Sequence, residues 1–225
     1  MVSKKSRKRQ KFKDSGIAKT KKVDTNNKSS KTWVYVLALA VFVLAVYGLI
    51  SSLSTSTPEA IGPSYGAEDG EIVFIQFGCF TCPFTQQFNL NVVPRLVEEF
   101  SQEVTFVFRS SPISSNPGSR AAAAAAKCAD RQDAFWEYSQ ILFSSASFDQ
   151  NSLISYANSL ELDVAEFSSC LVSDEIKNEV DKDFRDARRA GIMTTPTTFV
   201  NGVKVSGVQD VSLFRRLFND MLSDQ

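Results

Sequence analysis

The chain has 225 residues, room for one or two domains, and its 25 basic and 25 acidic side chains sum to zero charge. It contains no histidine, which excludes a Ser-His-Asp hydrolase and a His-ligated zinc site and removes the commonest general base. The zero is a sum of two opposites: residues 1–32 carry twelve Lys/Arg against Asp14 and Asp24, and the rest carries 13 basic against 23 acidic side chains, an asymmetry that points to different surroundings for the two parts.

The basic stretch comes first, with Lys4, Lys5, Arg7, Lys8, Arg9, Lys11 and Lys13 close together. Such a segment is too polar to bury a core and reads as a disordered cytoplasmic tail over residues 1–32. A nucleic-acid-binding arm is the competing reading, and no nucleic acid is expected as a partner. Trp33 to Ile50 is an apolar run of 18 residues without a charge, extendable to Leu53. As a helix it rises about 27–30 Å, the thickness of a bilayer's hydrocarbon core. Trp33, Tyr35 and Tyr47 lie near its ends, where interfacial aromatics belong. A cleaved signal peptide has a shorter apolar core and a shorter basic segment, so an uncleaved transmembrane anchor is expected over 33–53. The positive-inside rule puts the N-terminus in the cytoplasm and everything after Leu53 outside, in a compartment that permits disulfides. Residues 54–70, rich in Ser, Thr, Pro and Gly, read as a flexible linker. The folded domain is then residues 71–225, large enough for a core of its own.

Within that domain strands and helices alternate. Ile72–Phe77 is a short apolar run suited to a buried strand. Phe84, Phe88, Val92, Leu96 and Phe100 then recur every four residues, which predicts a helix. Val104–Phe108 is a second strand, and a loop with Pro112, Pro117 and Gly118 follows. Residues 120–190 read as almost continuous helix, beginning with an alanine run at 121–126. In it Phe135, Trp136, Tyr138 and Phe143 fall at helical spacing, as core residues do. Thr197–Val200 returns to strand, Asn201-Gly202 predicts a hairpin turn into Val203–Val205, and residues 210–222 close the chain with a helix.

The chemistry concentrates at Cys79-Phe80-Thr81-Cys82, between the first strand and the first helix. A thiol at a helix N-terminus meets free N–H groups and the positive end of the helix dipole, which favour the thiolate. Thiolate is the attacking species in disulfide exchange, and a second cysteine nearby resolves the mixed disulfide. Two inert readings compete, a structural disulfide and half of a zinc site. Zinc wants about four ligands, and the chain offers neither a second CxxC nor a histidine, so no metal is expected.

Five further stretches stand beside the CxxC: FVFR at 106–109, AAKCA at 125–129, AFWEY at 134–138, FSSCL at 167–171 and GIMTTPTTFVNG at 191–202. Together these motifs resemble the DsbA-like branch of the thioredoxin superfamily over nearly all of residues 71–225. The resemblance implies an α/β, thioredoxin-like fold with an inserted helical subdomain at about 118–190, here preceded by one N-terminal transmembrane helix. It implies that Pro196 is cis, follows Thr195 and lies against the redox pair, where this loop aligns the substrate chain like an added strand. It also implies a structural disulfide between Cys128 and Cys170, two free buried thiols being the alternative. No cofactor beyond the thiols is expected. The implied partners are exported thiol-containing proteins and a membrane redox partner of the DsbB or vitamin K epoxide reductase type.

The sequence departs from that branch in register. Many members read E-F-x-D-[FY]-x-C-P-F-C with a proline nine residues later. Here the stretch is Gln76-Phe77-Gly78-Cys79-Phe80-Thr81-Cys82-Pro83-Phe84-Thr85, and Pro94 lies nine residues after Thr85. Alignment on Cys82-Pro83-Phe84 and Pro94 needs no gap. It puts Cys82 in the nucleophile position, Thr85 in the resolving position and Gln76 where the family has a buried acid. Alignment on the CxxC itself makes Cys79 the nucleophile. Phe80 and Phe84 flank the pair, either as core or as exposed contacts for unfolded polypeptide. The expected function is a membrane-anchored extracytoplasmic thiol–disulfide oxidoreductase that forms disulfides. The alternatives are a disulfide reductase or isomerase, and a redox-inert tethered chaperone or binding module.

Overall fold

The computed structural model describes residues 29–53, 58–111 and 116–223, so residues 1–28 of the basic tail lie outside the described residues, as does part of the expected linker, while residues 29–32, expected to be disordered, open a helix. In chain order the elements are α1 (Ser29–Leu53), β1 (Ser64–Gly66), β2 (Ile72–Gly78), α2 (Pro83–Asn91), α3 (Val93–Phe100) and β3 (Val104–Ser110). There follow α4 (Pro117–Asp130), α5 (Phe135–Ser144), α6 (Gln150–Ser159), α7 (Val164–Val172), α8 (Asp174–Arg189), β4 (Thr197–Val200), β5 (Val203–Ser206) and α9 (Val211–Ser223). The chain divides into two compact units, Met1–Ser54 and Thr55–Gln225.

In the first unit, α1 presents exposed Trp33, Leu39, Phe42, Leu44 and Tyr47. Side chains are described for residues 33–47 of this helix. Among the described residues no helix is long and apolar enough to cross a membrane.

The second unit is built on a five-stranded sheet of order β1-β3-β2-β4-β5. The central strand β2 runs parallel to β3, with Ile72 opposite Val104 and Gly78 opposite Ser110, and antiparallel to β4, with Gln76 opposite Thr198. Its apolar run, broken only by buried Gln76, matches burial on both faces. Phe74 meets Phe88 of α2 and Phe214 and Phe218 of α9 in one core, while Ile75 and Phe77 meet Ala187, Ala190 and Ile192 in another. β4 returns through Asn201-Gly202, whose φ angles of 43° and 86° suit the twist of a two-residue hairpin.

Three sequence expectations are refined here. The helix expected to run from Phe84 to Phe100 is two helices that part at Val92. Pro94 lacks the N–H that residue 90 would receive, and its ring crowds that carbonyl. The apolar stripe survives the break, since Phe88, Val92 and Leu96 share one core. Within the expected linker, Ser64–Gly66 form an edge strand antiparallel to β3, with Trp136 Nε1 donating to the Ser64 carbonyl at 3.0 Å. Backbone pairing to a free sheet edge needs no apolar pattern, so composition concealed it. The helical block is α4 through α8, packed around Tyr138, Leu142, Phe143, Leu153, Phe167 and Ile176. Trp136 is only partly buried beside buried Phe135, Tyr138 and Phe143.

Ion pairs bind the block to the sheet. Buried Arg109 of β3 reaches Asp186 at 3.0 Å and Asp183 at 3.4 Å on α8. Lys127 of α4 reaches Asp183 at 2.8 Å, and Arg120 pairs with Asp181. Cys128 and Cys170 are joined, tying α4 to α7 across a sequence separation of 42.

Candidate active site

The strand end, the turn and the helix start are packed too tightly to move independently. A Cβ at Gly78 would lie 2.7 Å from the Phe108 ring and 2.8 Å from Thr85 Cγ2, so the last residue of β2 has to be glycine. Cys79 follows it, and the Cys82 N–H donates to the Cys79 carbonyl at 3.0 Å, closing a tight turn. The Cys79 N–H donates to Thr85 Oγ1 at 3.4 Å. Phe80, between the cysteines, plunges into the helical block, its ring 5.0 Å from Phe108 and 5.1 Å from Phe143. Gln86 Nε2 donates to the Phe80 carbonyl at 2.9 Å. Of the two flanking aromatics, Phe80 is therefore core, while Phe84 is 65% exposed.

Cys82 is the N-cap residue of α2, with Pro83 as the first helical residue, and Thr85 is fully buried in the first turn. This is the arrangement of the gap-free alignment, with Cys82 at the helix start and Cys79 in the loop before it. Both cysteines are free, Cys79 buried and Cys82 half-buried. The peptide bond from Thr195 to Pro196 is cis, and Thr195 Oγ1 donates to Cys82 Sγ at 3.3 Å. Two segments 113 residues apart thus meet at one sulfur. Gln76 is buried on β2, a neutral group opposite Thr198 and Phe108.

The electrostatics depart from the expectation that a helix start favours its own cysteine as thiolate. The Cys79 thiol is lowered from 9.0 to about 5, chiefly by the hydrogen bond from the Cys82 thiol, against burial, with help from Ser119 and Thr81. Ser119 Oγ lies 3.1 Å and Thr81 Oγ1 3.2 Å from Cys79 Sγ. Cys82 is pushed up by donating to Cys79 and by burial, and Thr195 offsets this only in part. Convergence of donors outweighs the dipole: three groups aim at Cys79, and hydrogen bonds to a charged acceptor are the strong ones. The reduced pair therefore shares one proton, held on Cys82. Among the described residues no cluster of Cys, Asp or Glu is arranged to hold a metal ion.

The structure brings together Cys79, Cys82, Thr81, Thr85, Thr195 and Pro196. Cys128 and Cys170 form their own bridge elsewhere in the helical block. Ser119 was not foreseen. It lies 40 residues from Cys79, at the start of a helix with no local motif to mark it.

The family model described as Thioredoxin matches residues 59–220. The chain belongs to the thioredoxin family. It is 29% identical over 185 residues to a probable disulfide bond formation protein D of Bacillus anthracis, an alignment covering 74% of this chain and 85% of that protein. The fold is also that of oxidised BdbD from Bacillus subtilis, with a TM-score of 0.68 at 23% identity over 74% of this chain and 96% of that one. Wolbachia pipientis alpha-DsbA1 superposes with a TM-score of 0.67 at 20% identity, over 75% of this chain and 97% of that one. Within the family the protein is a DsbA-like thiol–disulfide oxidoreductase.

Proposed function

We propose that the protein forms disulfides in exported proteins through Cys79 and Cys82, with Cys82 the sulfur that substrate attacks and Cys79 the sulfur that leaves. One observation carries the assignment. The half-buried sulfur beside the cis-Pro loop is Cys82, whereas the sulfur with convergent donors is Cys79, only 1% exposed. A protein thiol reaches the first and not the second. The leaving sulfur in disulfide exchange departs faster as its pKa falls, and Cys79 meets that need.

From the oxidised pair, a substrate thiolate attacks Cys82 Sγ. The Cys79–Cys82 bond breaks, a substrate–Cys82 bond forms, and Cys79 departs as thiolate. A second substrate thiolate then attacks the substrate sulfur of that mixed disulfide. The substrate disulfide forms, and the Cys82 sulfur is released and takes a proton. The substrate dithiol loses two electrons and two protons. The protein disulfide gains both electrons and keeps one proton, on Cys82, and the other proton goes to solvent. Stabilisation of the reduced form makes a pair oxidising, which supports formation of disulfides over their reduction. Exposed Phe84 and Met193 stand in the two segments that carry Cys82 and Thr195, and offer apolar contact to an unfolded polypeptide.

The N-terminal segment complements this reading as a single-pass anchor over 33–53, supported by the 18-residue uncharged run and the basic stretch before it. It holds the redox domain outside the cytoplasm, near a membrane oxidase of the DsbB or vitamin K epoxide reductase type that returns the pair to the disulfide.

Trapping tests the assignment. The full chain in detergent, as Cys79→Ser, should accumulate a mixed disulfide with a single-cysteine peptide supplied as its glutathione disulfide, glutathione leaving as the thiol, because Cys82 is reachable and nothing resolves the product. Cys82→Ser should trap little. The reverse pattern would make Cys79 the attacked sulfur, and no trapping by either variant would end the exchange reading.

A further inference from the structure

We propose that Ser119, carried by the inserted helical block, is a catalytic residue of the redox pair: its hydroxyl donates to Cys79 Sγ and sets how strongly the pair oxidises. The inference deepens the exchange chemistry proposed above and rests on it. Ser119 Oγ lies 3.1 Å from Cys79 Sγ, and the residue is only 1% exposed. Thr81, the other hydroxyl at 3.2 Å, is only half-buried. A hydroxyl donating to a charged sulfur away from solvent acts in a low dielectric, where it counts for more.

The backbone holds Ser119 for this task. Its N–H donates to the Asn116 side chain at 3.3 Å and to the Asn116 carbonyl at 3.1 Å, fixing it in the first turn of α4. The rest of α4 is locked in turn by the pairs of Arg120 and Lys127 with α8 and by the Cys128–Cys170 bridge. In the disulfide Cys79 Sγ is neutral and accepts weakly. Once the bond to Cys82 breaks, the electron pair rests on Cys79 and the same hydroxyl meets a full charge. The bond therefore favours the reduced state over the oxidised one, and strengthens as the leaving sulfur departs.

The test compares the full chain in detergent with Ser119→Ala and Ser119→Thr in glutathione buffers, alongside titration of the thiolate by its ultraviolet absorbance. Ser119→Ala should shift the equilibrium toward the oxidised protein by about tenfold, or about 30 mV, for loss of one charge-assisted hydrogen bond. Its thiolate midpoint should rise, and Ser119→Thr, which keeps the hydroxyl, should recover most of both. Asp163→Ala removes the cap that accepts from the Glu166 N–H of α7 at 2.9 Å in the same block. It should lower stability and leave both redox readouts unchanged. The proposal is overturned if Ser119→Ala titrates and equilibrates like the wild type, or if Asp163→Ala moves the equilibrium as far. A wild type that exchanges with glutathione while Ser119→Ala changes nothing sinks Ser119 alone. A wild type that never exchanges sinks the oxidoreductase chemistry beneath it.

Discussion

Changing the pH alone should alter the oxidising strength of the pair by a calculable amount. The Cys79 thiol sits at about 5, below its ordinary 9.0, so its ionisation stabilises the folded reduced chain in full above the ordinary value. That contribution is lost as the pH falls through about 5. Cys82 is shifted upward and keeps its proton across this window. Between about pH 6 and pH 8 the reduced pair thus holds one proton, while the two glutathione molecules that reduce it held two, their thiols titrating near 8.5. Reduction by glutathione then releases one proton, and its equilibrium constant rises about tenfold per pH unit, about 30 mV for two electrons. By the same linkage, folding of the reduced chain gains about 1.4 kcal/mol per unit over this range and folding of the oxidised chain does not. The assay equilibrates the full chain in detergent with fixed glutathione ratios at three pH values, quenches in acid and counts free thiols by alkylation. A constant that does not change with pH would mean that Cys79 titrates as an ordinary thiol, and the argument from convergent donors would fail.

Two further outcomes follow from the packing. Replacing both Cys128 and Cys170 by serine opens a loop of 42 residues in sequence separation and should cost about 4 kcal/mol by loop-closure entropy, read as a lower urea midpoint; a change under about 1 kcal/mol would deny the bridge a structural role. Phe80→Ala removes a ring held between Phe108 and Phe143 and should cost about 3–5 kcal/mol. It should also speed alkylation of Cys79 in the reduced chain, and unchanged alkylation would show that Phe80 does not shield the pair.

Much of this architecture was readable before any coordinates. The apolar run at Ile72–Phe77, with Gln76 its one polar residue, marks a strand buried on both faces, and Asn201-Gly202 marks a hairpin, because each depends on local chemistry. The alternative registers at Cys79 and Cys82 were also legible, since Pro83 and Pro94 fix where helices start. What the sequence hid was long-range. Ser64–Gly66 is a strand only because β3 has a free edge. The break at Val92 sits inside an apolar stripe that reads as continuous. The charge rests on Cys79 chiefly because Cys82 donates to it, with Ser119 arriving from another subdomain to help, and helix-dipole reasoning applied to Cys82 alone could not anticipate that second donor. Phe84 and Phe80 look alike in sequence, and only the approach of Phe143 tells which of them is buried.

The bridge between Cys128 and Cys170 has a consequence for how the protein comes into being. It lies in the block that positions Ser119, so each newly made copy must be oxidised there before its redox centre is fully braced. Under the chemistry proposed, the protein is thereby among its own clients. A culture in which synthesis is switched on from nothing would gain competence slowly at first, waiting on stray oxidants. It would then accelerate as finished copies complete their successors.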